Sequence, residues 1–348
     1  MSVPDKSLLC GRGVLIVTPY GPETGSGNWR TAERYARLLQ GQGVAAEIAV
    51  GLPSPQQITA AAGALVLHAR RSHAAAIALQ LAQKPYGVVL TGTDLYADLA
   101  GLSTLIFFQQ AVDTITQARV VVALQGDACS RLQSIAHQER LPEVPPCRVL
   151  LQSAIGDAAQ LHRRPRTDRA RDLRVLMVGH VRKEKDPLTG FQAFLSLPAG
   201  STLRHLGGSL DDALMQALQS LAARNPQRIA LLGHCDADTV RAEMAKADLL
   251  VHPSLMEGGA LVIAEAFGQG LPVLASRISG HLGILGEDYP AYFSQGDIHD
   301  LSRQLLAFAT DNKVAASWHD ALTQRAPQLC NPEREALDLA GIVQDILS

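Results

Sequence analysis

Two carboxylates eight positions apart, Glu257 and Glu265, bracket the glycine pair Gly258–Gly259 and the apolar run that follows it. Earlier in the chain, Gly179-His180-Val181-Arg182-Lys183-Glu184-Lys185-Asp186-Pro187 gathers three cations into one short turn. Each set has a chemistry. Paired carboxylate oxygens accept hydrogen bonds from vicinal hydroxyls, as on sugars and ribose. A helix opening at Gly258–Gly259, with Ala260 and Leu261 in its first turn, presents free N–H groups and the positive end of its dipole to an anion. Lys185 and Arg182 from one loop, with those N–H groups from the next, converge on a diphosphate. Glu265 then reaches ribose hydroxyls and Glu257 faces the group beyond the diphosphate, so a nucleotide diphospho-sugar fits the spacing. The plainer reading of the same residues is an acidic helix start and a solvated charged turn.

These residues need elements that place them. The apolar run Leu249–Val251 reads as a buried strand and the glutamate stretch as an amphipathic helix. Gly270 stops that helix, Pro272 sits just beyond it, and a strand begins at Val273. The same alternation fills the chain. Strands are expected at 14–18, 44–50, 64–68, 86–91, 119–124 and 148–152, with helices at 29–40, 71–83, 103–117 and 127–139. After the polar, basic stretch 154–172, taken as a linker, strands are expected at 173–179, 202–206, 228–232, 248–252 and 272–275. Helices are expected at 187–196, 210–224, 237–246, 259–269, 297–310, 312–326 and 333–347. Alternation of this kind implies two α/β domains with parallel sheets covered on both faces. Ligands then sit at the carboxyl ends of the strands, where the loops 19–28, 68–71, 91–96, 179–187 and 253–259 lie.

The first domain offers a second anion-receptive turn. The loop 19–28 precedes a helix whose N-cap is expected at Asn28, and its glycines do not have the spacing of the dinucleotide fingerprint. Composition narrows the class further. The chain has 348 residues, 47% of them hydrophobic, with a net charge of −2, which excludes a disordered chain and a dedicated nucleic-acid binder. Its five cysteines, Cys10, Cys129, Cys147, Cys235 and Cys330, lack metal-ligand spacing and read as reduced thiols. With no signal peptide and no long apolar run, a cytoplasmic, membrane-free location is expected. No metal is expected either: there is no Asp-x-Asp pair, Asp211–Asp212 reads as a helix cap, and fixed cations can stabilise a leaving diphosphate. No cofactor and no protein partner is indicated.

The stretch Ser254-x-Met256-Glu257-Gly258-Gly259-Ala260-Leu261-Val262-Ile263-Ala264-Glu265 through Gly270-Leu271-Pro272-Val273 resembles the signature of family 4 retaining glycosyltransferases. The resemblance implies a GT-B fold, two Rossmann-like domains with parallel sheets facing across a cleft. It assigns residues 1–160 to an acceptor domain, 170–330 to a nucleotide-sugar donor domain, and 331–348 to a helix returning to the first. In that family the first glutamate meets the donor sugar and the second binds ribose. The phosphate element G-R-x-x-x-x-K is matched at Gly179 and Lys185, with His180 in the arginine position and Arg182 expected to compensate. A histidine common near the donor sugar is replaced here by Thr93.

Gly27-Asn28-Trp29-Arg30, Leu67-His68-Ala69-Arg70-Arg71-Ser72, Leu90-Thr91-Gly92-Thr93-Asp94, Lys185-Asp186-Pro187 and Gly286-Glu287-Asp288-Tyr289-Pro290 look like the selenosugar synthases of selenoneine biosynthesis. That resemblance implies attack of selenophosphate on the anomeric carbon of a UDP-sugar, UDP-N-acetylglucosamine in the first instance. An ionised selenium nucleophile needs a cationic seat rather than a strong base. Arg30, Arg70 and Arg71, with the Gly25, Gly27 and Asn28 backbone, are expected to hold its phosphoryl group, beside His68, Thr93 and Asp94. The segment 286–290 with Tyr292 and Phe293 is expected as a loop near the site. An ordinary glycosyltransferase with a hydroxyl acceptor, a UDP-N-acetylglucosamine 2-epimerase and a silent nucleotide-sugar sensor are the alternatives.

Overall fold

A computed structural model describes residues 13–154 and 172–348. The chain divides into two compact units: residues 1–151 with 332–348, and residues 152–331. The expected linker falls outside the described residues apart from Ala154 and Asp172, as does Cys10.

In unit 1, β1 (Val14–Thr18), β2 (Ala46–Val50), β3 (Gly63–Leu67), β4 (Tyr86–Leu90), β5 (Val120–Ala123) and β6 (Cys147–Val149) form one parallel sheet in the order β2-β1-β3-β4-β5-β6. Its central strands are buried on both faces, which is why they read as unbroken apolar runs. The connections are α1 (Gly27–Gly41), α2 (Pro55–Ala60), α3 (His73–Leu81), α4 (Leu105–Thr116) and α5 (Asp127–Gln138), with a π turn at Asp94–Asp98. The helix at α1 starts earlier than expected. Ser26, not Asn28, is the N-cap, its hydroxyl accepting from Trp29 N at 3.2 Å. Helix α2 was not anticipated; it is short, but Ser54 and Gln57 close a capping box around it.

In unit 2, β7 (Arg174–Val178), β8 (Thr202–Leu206), β9 (Ile229–Leu231), β10 (Leu249–His252), β11 (Val273–Ser276) and β12 (Tyr292–Phe293) give the parallel order β12-β11-β10-β7-β8-β9. The helices are α6 (Pro187–Phe194), α7 (Asp212–Arg224), α8 (Ala237–Lys246), α9 (Leu261–Gly268), α10 (Ser279–Leu285), α11 (Ile298–Thr310) and α12 (Asn312–Leu329). Asp211 caps α7, accepting from Leu214 N at 3.0 Å. Tyr292–Phe293 is an edge strand paired with Ala275–Ser276, not a loop. The last helix, α13 (Pro332–Leu347), belongs to unit 1 and packs on its sheet. It can lie flat there because β3 and β4 carry glycine beneath it. A Cβ at Gly87 would come within 2.8 Å of Ile346, and one at Gly63 within 2.7 Å of Leu347.

The cysteine expectation is corrected. Cys129, in the first turn of α5, forms a disulfide with Cys147 at the start of β6, the Cα atoms 5.6 Å apart. The pairing matches no sequence motif because packing of α5 beside β6 brings the two together. Cys235 and Cys330 are free. The part of the cytoplasmic expectation that rested on reduced thiols therefore falls. No described helix is long and apolar enough to cross a membrane.

Candidate active site

Each sheet has one point where strand order reverses, between β7 and β10 in unit 2 and between β1 and β3 in unit 1. Loops leaving adjacent strands there diverge and open a crevice at the strand ends. In unit 2 the diverging loops are the cationic turn after β7 and the glutamate loop after β10. They are tied together by the hydrogen bond from Leu255 N to Glu184 O at 2.8 Å.

That tie sets the central arrangement. Glu257 is buried and its Oε1 accepts three hydrogen bonds, from Lys185 Nζ at 2.5 Å, His252 Nε2 at 2.9 Å and Ser254 Oγ at 2.5 Å. Burial pushes the carboxyl up, but the Lys185 ammonium, with His252 behind it, outweighs burial and holds it well below the usual carboxylate range. Burial pushes His252 down from its ordinary value, against the pull of Glu257. Behind His252 stands His281 of α10, the rings 5.0 Å apart. Burial, with His252 next, takes His281 down to about 3. Its Nδ1–H donates to Ser276 O at 2.7 Å, leaving a buried Nε2 without a hydrogen-bond partner.

Glycines set the approaches. A Cβ at Gly280 would lie 2.3 Å from Glu257 O, so only glycine lets α10 pack against the glutamate loop. Gly207, at φ 153°, is equally constrained: a Cβ there would lie 1.9 Å from Gly179 O. The turns after β7 and β8 are thus in backbone contact. Beneath Gly179 runs the Lys185 side chain, 3.6 Å from where a Cβ would be. His180 lies over Gly208 in the same cradle. Arg182 is partly exposed; its Nε is buried without a hydrogen bond, and Glu184 lies 3.9 Å away.

Two expectations change here. The helix after the glycine pair opens at Leu261 with Ala260 as its N-cap residue, so Gly258 and Gly259 belong to the approaching loop rather than to the first turn. Lys185 and Glu257, assigned to different parts of a ligand, are bonded to one another. Glu265 is half-buried along α9. Sequence reasoning passed over His281 and Gly280, did not single out His252, and gave Ser254 no role beyond its place in the glutamate signature. The signal was His252-Pro253-Ser254, two polar side chains closing an otherwise apolar strand.

Among the described residues, His252, Glu257 and His281 bring ligand-type atoms within 4.8 Å of one another. A metal ion there would have to displace the Lys185 ammonium from the same carboxylate oxygen, so the set is better suited to hold a proton than a cation.

In unit 1 the reversal point carries Gly25, Gly27, Asn28 and Arg30 after β1, and His68, Arg70 and Arg71 after β3. Gly25, at φ 56°, closes the turn before α1, and Arg30 is exposed in the first turn of α1. Arg70 pairs with Asp98 at 2.7 Å and lies over the Phe107 ring, while Arg71 lies over Tyr20. His68 holds φ 69° and its Nε2 is 2.9 Å from Thr93 Oγ1. An imidazole therefore stands beside Thr93, supplied by the neighbouring strand. Asp94 is engaged by the backbone of its own unit. It is fully buried and accepts from the backbone N–H groups of Ala69, Thr91, Gly92 and Leu95, which locks the ends of β3 and β4.

Residues 160–325 match the family model described as glycosyl transferases, group 1. The match falls within the second unit. A curated relative, the lipopolysaccharide glucosyltransferase WaaG of Escherichia coli, is 32% identical over 108 residues, which span 28% of each chain. Solved structures share the GT-B-type fold of the chain. Sucrose-phosphate synthase from Thermosynechococcus elongatus superposes with a TM-score of 0.76 at 14% identity, covering 96% of this chain and 98% of that one. Anabaena HepE, solved in complex with UDP and glucose, gives 0.73 at 16% identity, covering 96% and 99%.

Proposed function

We propose that the protein is a glycosyltransferase-type enzyme that uses a UDP-sugar, UDP-N-acetylglucosamine in the first instance, and selenophosphate to make a selenosugar. The observation that carries the donor half is the Lys185–Glu257 pair at the reversal point of the second sheet. Lys185, Arg182 and the backbone entering α9 receive the diphosphate, Glu265 the ribose and Glu257 the sugar. The HepE complex with UDP-glucose supports a UDP-sugar as the donor class.

Arg30, Arg70 and Arg71 supply the seat for the nucleophile. Selenium forms a bond to the anomeric carbon as the bond to the diphosphate oxygen breaks, and UDP leaves with the electron pair. Water then cleaves Se–P, releasing phosphate and a selenol-bearing sugar. The cations that meet UDP lower the barrier by stabilising the charge that develops on it.

The test incubates the protein with UDP-N-acetylglucosamine, with and without selenophosphate, and follows UDP and sugar-bound selenium by mass spectrometry. Selenium-dependent UDP release is expected. Arg30→Ala and Arg70→Ala should raise KM for selenophosphate and spare UDP-sugar binding; collapse of donor affinity would overturn the assignment. A second reading, transfer to a hydroxyl, is favoured by the His68 imidazole beside Thr93. UDP release without selenophosphate, given a sugar acceptor, would support it.

A further inference from the structure

Glu257 Oε1 is held by one cation and two neutral donors. Any role of His252 in donor binding rests on the proposed diphosphate site, which requires Lys185 to turn towards the ligand. A buried carboxylate stripped of its cation is costly, and the site must restore a positive charge. The titratable groups facing His252 are Glu257 from its own loop, Lys185 from the turn after β7 and His281 from α10. His252 already directs its Nε2–H at Glu257, because a carboxylate only accepts. His281 keeps its own proton on Ser276 O and its Nε2 carries none, so the adjoining ring sets no positive charge against a cation at His252.

We infer that His252 is a positioning residue that takes up a proton when the donor binds: Lys185 passes from Glu257 to the diphosphate, and a protonated His252 replaces it as the partner that holds Glu257 in place. The proton arrives at His252 Nδ1 from solvent and leaves when UDP departs and Lys185 returns. Before the donor binds, the ammonium beside Glu257 disfavours a second positive charge on the ring; afterwards that opposition is gone and the carboxylate's attraction remains. The complex therefore binds one proton more than the free protein, so donor affinity rises as pH falls through the ligand-bound value of His252. It levels off below the free-protein value, with a slope of up to about tenfold per pH unit.

Calorimetric titration with UDP-N-acetylglucosamine, repeated in buffers of low and high ionisation heat near neutral pH, reads the proton directly. This donor has no group of its own titrating there, so the uptake belongs to the protein. Wild type should take up a measurable fraction of a proton, larger at lower pH. His252→Gln, whose amide nitrogen can take the place of Nε2, should bind the donor with no uptake. Binding of the same heat in every buffer by wild type would overturn the inference and leave the donor reading intact. Uptake persisting in His252→Gln would overturn the assignment to His252. Absence of binding by folded wild type, with UDP-glucose as well, would overturn the donor reading instead. If His252→Gln does not fold, ring nitrogen spectra of the eleven histidines in wild type decide the matter. One ring should become imidazolium on adding the donor, and no change would refute the proposal.

Discussion

Replacing Lys185 with alanine leaves Glu257 buried and charged beside two neutral donors. The glutamate side chain is 6% exposed and the lysine 19%. Removing one partner of a buried pair costs about 3–5 kcal/mol, and the partial exposure of the lysine reduces this to about 2–3 kcal/mol. Glu257→Gln removes the other partner, but the ammonium then turns to solvent, so that variant should lose only about 1 kcal/mol. The double variant should be less damaged than the sum by about 1–2 kcal/mol. For a unit of this size the lysine variant should melt about 4–12 °C lower. The chain has two tryptophans, and Trp318 is buried in α12. In a Trp29→Phe background its fluorescence reports unit 2 alone. The pH dependence adds a sign. Pairing holds the Glu257 carboxyl below its ordinary value, so the stability it contributes is present above about pH 4.3 and is lost as pH falls through the folded value. Without Lys185 that value rises, and the deficit relative to wild type should be largest at neutral pH and shrink towards about pH 4. Equal costs for the two single variants, coupling below about 0.5 kcal/mol, or a deficit independent of pH would refute the reasoning.

Gly280→Ala should push Glu257 out of place, since its Cβ would fall 2.3 Å from Glu257 O; a stability loss of about 1–3 kcal/mol and tenfold or greater loss of UDP-sugar affinity are expected by urea melts and calorimetry. His205 and His281 are held neutral by burial, at about 4 and about 3 against 6.5. Their contribution is complete above pH 6.5 and is lost as pH falls, so each should cost unit 2 about 2 kcal/mol by about pH 5, and His205→Gln should remove its share in urea melts at the two pH values. Cys129→Ser should destabilise unit 1 by about 2–3 kcal/mol in non-reducing buffer and leave it unaffected relative to reduced wild type, because the bridge closes a loop of sequence separation 18.

The strands could be read from the sequence because parallel strands buried on both faces leave unbroken apolar runs bounded by glycine and proline; β10 and β11 fall where those signals put them, and α9 opens two residues later than expected, at Leu261. The helix α10 could not. Ser279–Leu285 is seven residues long, includes two glycines and is too short to show a period. With it went His281 and Gly280, which reach the site only because α10 folds back on the glutamate loop. Strand β12 has two residues, fewer than any alternation needs. The Cys129–Cys147 pair and the role of Asp94 were hidden for the same reason. Each depends on which strand ends and helix starts lie side by side, and residue spacing along one chain does not record that.

The Lys185–Glu257 contact sharpens what the glutamate signature does. Read along the sequence, the two residues serve neighbouring parts of one ligand, the diphosphate and the group beyond it. In space, the bond between Leu255 and Glu184 joins their loops, and the two charges neutralise each other inside unit 2. With Lys185 turned away, the buried Glu257 would lack a compensating charge; paired, the carboxylate does not bear its desolvation cost alone. A diphosphate has to compete with an internal carboxylate for Lys185, and this penalises ligands that bring too little charge. On the proposed reading the arrangement favours a dianionic donor over a neutral sugar, and the fate of Glu257 once Lys185 turns to the diphosphate, with His252 and Ser254 as its remaining donors, becomes the step on which donor binding turns.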